Sequence, residues 1–139
     1  MIAVLLDTNV IIDFAEEREG FYAAAENVFR ITEQKAISRY VSASAVTDIY
    51  YVLKKRYKEP RAALSLLKKL LRHLEVIGVD RQTIETAIES EMDDFEDAVQ
   101  ATAAKDLGID IVVTRDKEGF HNSGMQVFSP EEFLAIISP

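Results

Sequence analysis

Five aspartates occupy positions that need explaining. Asp7 follows the apolar run Ile2-Ala3-Val4-Leu5-Leu6 where the run stops, and Asp116 closes Thr114-Arg115-Asp116 after a second run, Ile109-Asp110-Ile111-Val112-Val113. Asp94 and Asp97 are three apart at the start of a helical pattern, so they share a face of its first turn. Asp48 has Ala45, Val46, Ile49, Tyr51 and Val52 around it, and Asp is a mediocre residue for a helix interior. Each acid also has an ordinary explanation. Asp7 and Asp94 suit helix N-termini, and Asp48 suits a solvated face. Asp97, deeper and followed by Ala98-Val99, fits that account less well. Carboxylates gathered from such separated segments cannot share a pocket while all are charged, unless a cation neutralises them. With no cysteine and only His73 and His121, the site would be all-oxygen, which suits Mg²⁺ or Mn²⁺. Such an ion supports phosphodiester hydrolysis, and two of them would stand ~3.5–4 Å apart.

The elements that must position these acids follow from periodicity. An uninterrupted apolar run suits a central strand buried on both faces, and ligands bind at the carboxyl ends of such strands. Asp7 and Asp116 therefore meet at one rim if their strands are neighbours. The first helix is expected from near Asn9, and a second from Phe21 to about Gln34. A strand is expected over 39–43 and a helix from a Ser44 cap to about Tyr57. Pro60 opens a helix with one apolar stripe, Ala63, Leu66, Leu67, Leu70, Leu71 and Leu74. A third strand over 75–79 ends before Asp80, and a helix passes through Ile84, Ala87 and Ile88. Another helix runs from about Asp93 to Asp106 and stops at Gly108. Strands over 109–114 and 125–128 follow, then a helix capped by Ser129 with Pro130 and Glu132. Strands alternating with helices mean a mostly parallel five-stranded sheet covered on both faces, an α/β fold. Residues 1–139 form a single domain.

Composition bounds the rest. The 139 residues are 48% hydrophobic and 29% charged, ordinary for a soluble domain. No stretch approaches the ~20 apolar residues of a membrane span, and the N-terminal run lacks the form of a signal peptide. Absence of cysteine fits a reducing, cytoplasmic setting. Net charge is −8, yet residues 54–72 hold eight of the 16 lysines and arginines against the single acid Glu59. That segment reads equally as a solvated face or as an anion- or partner-binding surface.

Taken together, Asp7-Thr8-Asn9 after an apolar strand, the acid in Ser44-Ala45-Val46-Thr47-Asp48, the run Asp94-Phe95-Glu96-Asp97-Ala98 and the turn Thr114-Arg115-Asp116 resemble the PIN-domain nucleases. Among these the chain is most similar to the VapC-type toxins of prokaryotic toxin–antitoxin pairs, over essentially its whole length. The resemblance implies a PIN-like three-layer sandwich. It implies that Asp7, Asp97 and Asp116 bind metal, and that Asp48 fills the position of a second acid, more often Glu in the family. Asp94 would support these acids or ligate a second ion. Thr8, Asn9 and Thr114 would hold the carboxylates by hydrogen bonds. It further implies a Mg²⁺-dependent endoribonuclease acting on RNA, a homodimer, and inhibition by a small cognate antitoxin.

Other readings carry fewer matches. A phosphoacceptor receiver domain wants paired acids after its first strand, and here there is one. A haloacid-dehalogenase-type phosphatase needs Asp-x-Asp, and position 9 is Asn. No glycine-rich phosphate loop or His-Glu-x-x-His motif occurs. The rival from another class is a catalytically idle PIN-fold module that binds RNA or protein. Within the nuclease reading, Lys54, Lys55 and Arg56 directly follow the helix of Asp48 and should border the acidic pocket, where they would hold RNA phosphates.

Overall fold

A computed structural model describes residues 2–137. At its centre is β1 (Ala3–Leu6), followed by α1 (Thr8–Ala15), α2 (Tyr22–Gln34), β2 (Ser38–Ser42), α3 (Ala43–Tyr57) and α4 (Pro60–Leu71). Then come β3 (Glu75–Ile77), α5 (Arg81–Ile88), α6 (Phe95–Asp106), β4 (Ile111–Val113), a 3-10 turn (Lys117–Phe120), β5 (Gln126–Phe128) and α7 (Pro130–Ile137). The strands lie in the order β3-β2-β1-β4-β5, all parallel. β1 and β4 are therefore neighbours, with Leu6 opposite Val113.

Side chains alternate across a strand, so a strand covered on both faces has apolar residues at every position. Val4 and Leu6 point into one layer and Leu5 into the other, all fully buried. The first layer joins Val10 and Ile11 of α1, Val28 of α2, Ile49 and Leu53 of α3, and Phe133 of α7. The second is built on α6, whose Ala101 and Ala104 pack with Leu5, Val112 and Phe120. Every residue from Ala98 to Ala104 is buried. Small side chains let α6 lie close to the sheet, which fixes the position of its first turn.

Boundaries differ from the expected ones for local reasons. α3 starts at Ala43 after Ser42 rather than after Ser44, and the Ser42 hydroxyl bonds the Ser44 hydroxyl at 2.8 Å instead of a helix N–H. α6 starts at Phe95, because Asp94 Oδ1 accepts the Asp97 N–H at 2.9 Å and takes the cap position. β4 is shorter at its start: the Ile109 N–H still bonds Ala104 O at 3.0 Å, closing the end of α6. β3 stops at Ile77, before Asp80 caps α5 in a reciprocal pair with Thr83. In α4 the stripe packs beside α3 with Ala63 and Leu70 buried and Leu66, Leu67 and Leu71 only partly so. The α7 cap forms as its sequence implies: Ser129 N–H donates to Glu132 Oε1 at 2.8 Å and Glu132 N–H to Ser129 Oγ at 3.1 Å.

Candidate active site

The site begins where β1 and β4 end together. Asp7 N–H donates to Val113 O at 3.0 Å, which continues the strand pairing by one residue and sets Asp7 beside Thr114. Asp7 is 6% exposed. Its Oδ1 accepts the Thr8 N–H at 2.7 Å, so it does cap α1. Its Oδ2 accepts the Thr114 hydroxyl at 2.7 Å and the Asn9 side-chain N–H at 3.3 Å. Thr114 Oγ1 in turn accepts the Asp116 N–H at 2.9 Å. Asn9 and Thr114 thus hold the acids through side chains, whereas Thr8 does so through a backbone N–H that any residue but proline would supply. Burial pushes the Asp7 carboxyl up, the bonds from Thr114, Thr8 and the nearby Gln100 side chain work against that, and the charge of Asp116 adds to it.

Asp97 reaches the same rim from the first turn of α6. Burial raises its carboxyl to about 7, reinforced by the charges of Asp7, Asp94, Asp116 and Glu96. Gly119 shows how tightly the third acid approaches. A Cβ added there would collide with Asp97 Oδ2 and lie 3.0 Å from Asp116 Oδ2. Both carboxylates abut one point, and only a glycine leaves them room. Asp116 Oδ1 meanwhile accepts the Gly119 N–H at 3.4 Å, at the start of the 3-10 turn.

Asp48 lines a cleft with Glu96 and Gln100 and is linked to the trio through Glu96. Its charge is the largest cause raising the Glu96 carboxyl, followed by burial, Asp94 and Asp7. Glu96 was hidden in the sequence because an acid in a first helical turn needs no further reason. Gln100 was hidden too, though a polar residue one turn after Asp97 and inside an alanine-rich stretch was a signal that could have found it. Asp94 acts as the α6 cap and adds its charge to the group.

A second network steadies the Asp116 turn. Asp13 is 1% exposed and takes a bidentate pair from Arg115, Nε to Oδ2 at 2.6 Å and Nη2 to Oδ1 at 3.1 Å. The Arg115 guanidinium lies over the Phe21 ring at 3.9 Å, and its backbone N–H donates to Asn9 Oδ1 at 3.2 Å. Asp13 is one helical turn from Asn9 on α1, which places both beside the same strand end.

An all-oxygen donor set in which burial and neighbouring charge raise the carboxyls of Asp7, Glu96 and Asp97 is what a hard divalent cation would relieve. Asp7, Asp97 and Asp116 fit that role by convergence, with Asp48 and Glu96 alongside. As the side chains lie, no three His, Asp or Glu groups among the described residues stand close enough to ligate one ion. Uncompensated like charges favour such an open spread. Lys54, Lys55 and Arg56 are exposed in the last turn of α3, and Arg56 Nη1 also donates to Glu16 O at 2.8 Å, tying α3 to the end of α1.

A parallel sheet in this order, with acids gathered at the ends of β1 and β4, defines the class: the chain belongs to the PIN-domain family, whose profile matches residues 3–118. Its relatives there are VapC ribonucleases. Ribonuclease VapC1 of Aquifex aeolicus (strain VF5) is 32% identical over 135 residues, covering 94% of this chain and 92% of that protein. A VapC ribonuclease of the same organism is 26% identical over 132 residues, covering 92% and 97%. In fold the chain is similar to DNA-bound VapBC from Salmonella typhimurium, with a TM-score of 0.71 at 18% identity, covering 94% and 99%. Among the described residues no helix is long and apolar enough to cross a membrane.

Proposed function

We propose that the chain is a Mg²⁺-dependent endoribonuclease, Mn²⁺ substituting, and the toxin of a type II toxin–antitoxin pair. The observation that carries this is the meeting of Asp7, Asp97 and Asp116 at one strand rim, with the Asp97 carboxyl raised to about 7. Three or more acids held this way are destabilising alone and become favourable around a cation. When bound, such an ion polarises a phosphoryl oxygen and acidifies a water for attack. The chain's own part is placement. Thr114 and Asn9 fix Asp7, Thr114 also fixes the backbone of Asp116, and Gly119 lets Asp116 approach Asp97. Asp48 and Glu96 extend the negative rim along α3 and α6.

RNA phosphates need a positive track, and α3 offers one. Lys55 lies seven residues after Asp48, two helical turns along the same face and roughly 10 Å away. Lys54 and Arg56 flank it. Phosphate contacts of this kind position RNA without reading its sequence. The relatives named as ribonucleases support the activity and do not favour an idle binding module. The VapBC neighbour supports a cognate antitoxin as partner, and a homodimer in the cytoplasm completes the reading.

Incubating labelled RNA with the purified protein in Mg²⁺, in EDTA, and with Asp97→Asn tests it. Cleavage is expected only in the first. Cleavage that persists in EDTA and in the variant overturns the proposal.

A further inference from the structure

Between α3, α5 and α6, next to the acids, lies a cleft of about 270 Å³. Its polar lining consists of Ser44 and Asp48 from α3 with Glu96 and Gln100 from α6, and its apolar walls include Ile84, Phe95 and Val99. Gln100 is 5% exposed, and its Oε1 is the one buried side-chain oxygen or nitrogen without a hydrogen-bond partner among the described residues. A buried acceptor in that state has given up water without replacement, a penalty relieved only when a donor arrives from outside. The Ser44 hydroxyl is already engaged with Ser42 at 2.8 Å. The cleft is therefore lined by two carboxylates and the side chain of Gln100, whose oxygen is buried and without a partner, beside apolar surface.

That lining sorts the possible occupants. A phosphate is repelled by Asp48 and Glu96. A hydrated cation beside Asp48 and Glu96 would leave Ile84, Phe95 and Val99 without a partner. A flat group with an apolar face and a donor-bearing edge meets every feature. Phe95 is half exposed, so its ring is free to take a stacked base, the usual way proteins read unpaired RNA. The volume lies just below the ~300–1,000 Å³ of sites for drug-sized ligands, which suits one planar base. Guanine alone brings two adjacent donors, N1–H and the 2-amino group, to match an edge of acceptors. Adenine and cytosine each bring an amino group next to a ring nitrogen that would face a carboxylate. Uracil brings one N–H between two carbonyl oxygens.

We propose that this cleft binds a guanine base beside the scissile phosphate, with Phe95 stacking on it and Gln100 Oε1 accepting from its donor edge. The inference rests on the RNA-cleaving reading for the phosphate's position, and on the cleft alone for the base. The test is a titration of ¹⁵N-labelled wild-type protein, in EDTA so that no RNA is cut, with the pentanucleotides UUGUU, UUUUU and the inosine analogue UUIUU. UUGUU should move the Gln100 side-chain amide and Phe95 backbone signals. It should bind about tenfold tighter than UUUUU, the lower end of discrimination by a paired donor–acceptor contact. UUIUU, lacking the 2-amino group, should fall between them. Phe95→Ala should weaken UUGUU about fivefold and leave UUUUU unchanged. Equal affinities, no guanine-selective binding at millimolar RNA, or shifts confined to other residues overturn the inference. Cleavage in Mg²⁺ without guanine selectivity removes the subsite and leaves the nuclease standing. Guanine-selective binding without cleavage does the reverse.

Discussion

Replacing Asp97 with Asn should make the metal-free protein more stable while abolishing RNA cleavage. In the folded chain the Asp97 carboxyl is raised from 3.8 to about 7 by burial and by Asp7, Asp94, Asp116 and Glu96. Well below pH 3.8 the group is neutral both folded and unfolded, and it contributes no penalty. As pH rises from there toward 7, the folded chain keeps a proton that the unfolded chain has released, so stability falls. Above about pH 7 Asp97 is ionised in both states and the penalty stays constant. A difference of that size sets a ceiling of ~4 kcal/mol. Asp97 is only partly buried, and solvent screening brings the figure down to ~1–2 kcal/mol.

Urea unfolding in EDTA at several pH values between 4 and 8 reads this directly. An amide at that position has no proton to lose, so the Asp97→Asn variant should show a shallower decline with pH and be ~1–2 kcal/mol more stable than wild type at pH 7.5. In a thermal scan that is roughly 3–8 °C. Mg²⁺ should reverse the order, since mass action stabilises only the chain that binds it. Suppose the variant is clearly less stable than wild type in EDTA, or both decline in parallel. Asp97 is then a structural helix-terminus acid, and gathered charge does not set its state.

Gly119→Ala should keep a native circular dichroism spectrum and lower the cleavage rate about 100-fold, because its Cβ must displace the Asp97 and Asp116 carboxylates and small misplacements of reacting groups have effects of that order. Thr114→Val, close in shape but without the hydroxyl, should cost ~1–3 kcal/mol in urea unfolding, as Asp7 Oδ2 keeps only the longer bond from Asn9 and the Asp116 N–H loses its partner. Arg115→Ala should cost ~3 kcal/mol by leaving Asp13 buried and under-paired, with Arg18 3.9 Å away as partial relief; the double variant Asp13→Leu, Arg115→Met should recover most of it. Lys54→Ala with Lys55→Ala should weaken RNA binding and flatten its salt dependence by a log–log slope of ~1.4, about 0.7 for each single-strand phosphate no longer neutralised. An unchanged slope means that these lysines face away from the RNA.

The parts of the fold that were legible in the sequence are those where one physical demand dominates. β1 could be read because a strand covered on both sides must be apolar at every position, and α7 because its cap is local to Ser129 and Glu132. The neighbouring ends of β1 and β4 were a conditional inference from Asp7 and Asp116, and the sheet order satisfies the condition. Long-range pairings were invisible. Nothing about Asp13 in a run of apolar residues points to Arg115 about a hundred residues later, and neither side chain breaks a local rule. Glu96 was concealed by its company, since acids at a helix start are ordinary. Gly119 was concealed by the opposite cause: its role is the absence of a Cβ, and a sequence does not display what an atom would have struck. Ser42 stands at the α3 cap position in place of Ser44, with its hydroxyl on that of Ser44 and none on a helix N–H, a choice that both positions permit.

The ordinary and the chemical explanations of these acids are not alternatives. Asp7 caps α1 with one oxygen, Asp94 caps α6, and Asp116 caps the 3-10 turn with one oxygen while its other faces Asp97. Three N-terminal ends, each carrying unpaired N–H groups and partial positive charge, are aimed at one rim by the parallel sheet. A capping bond fixes a carboxylate's direction and leaves its remaining lone pairs open. The same N–H groups partly offset the repulsion that drawing the acids together creates. Asp97 sits apart from that relief: its own N–H goes to Asp94, while burial and neighbouring charge raise its carboxyl to about 7. It is therefore the acid whose state should respond most to a bound cation, and the one whose replacement separates a metal site from a set of well-capped helices.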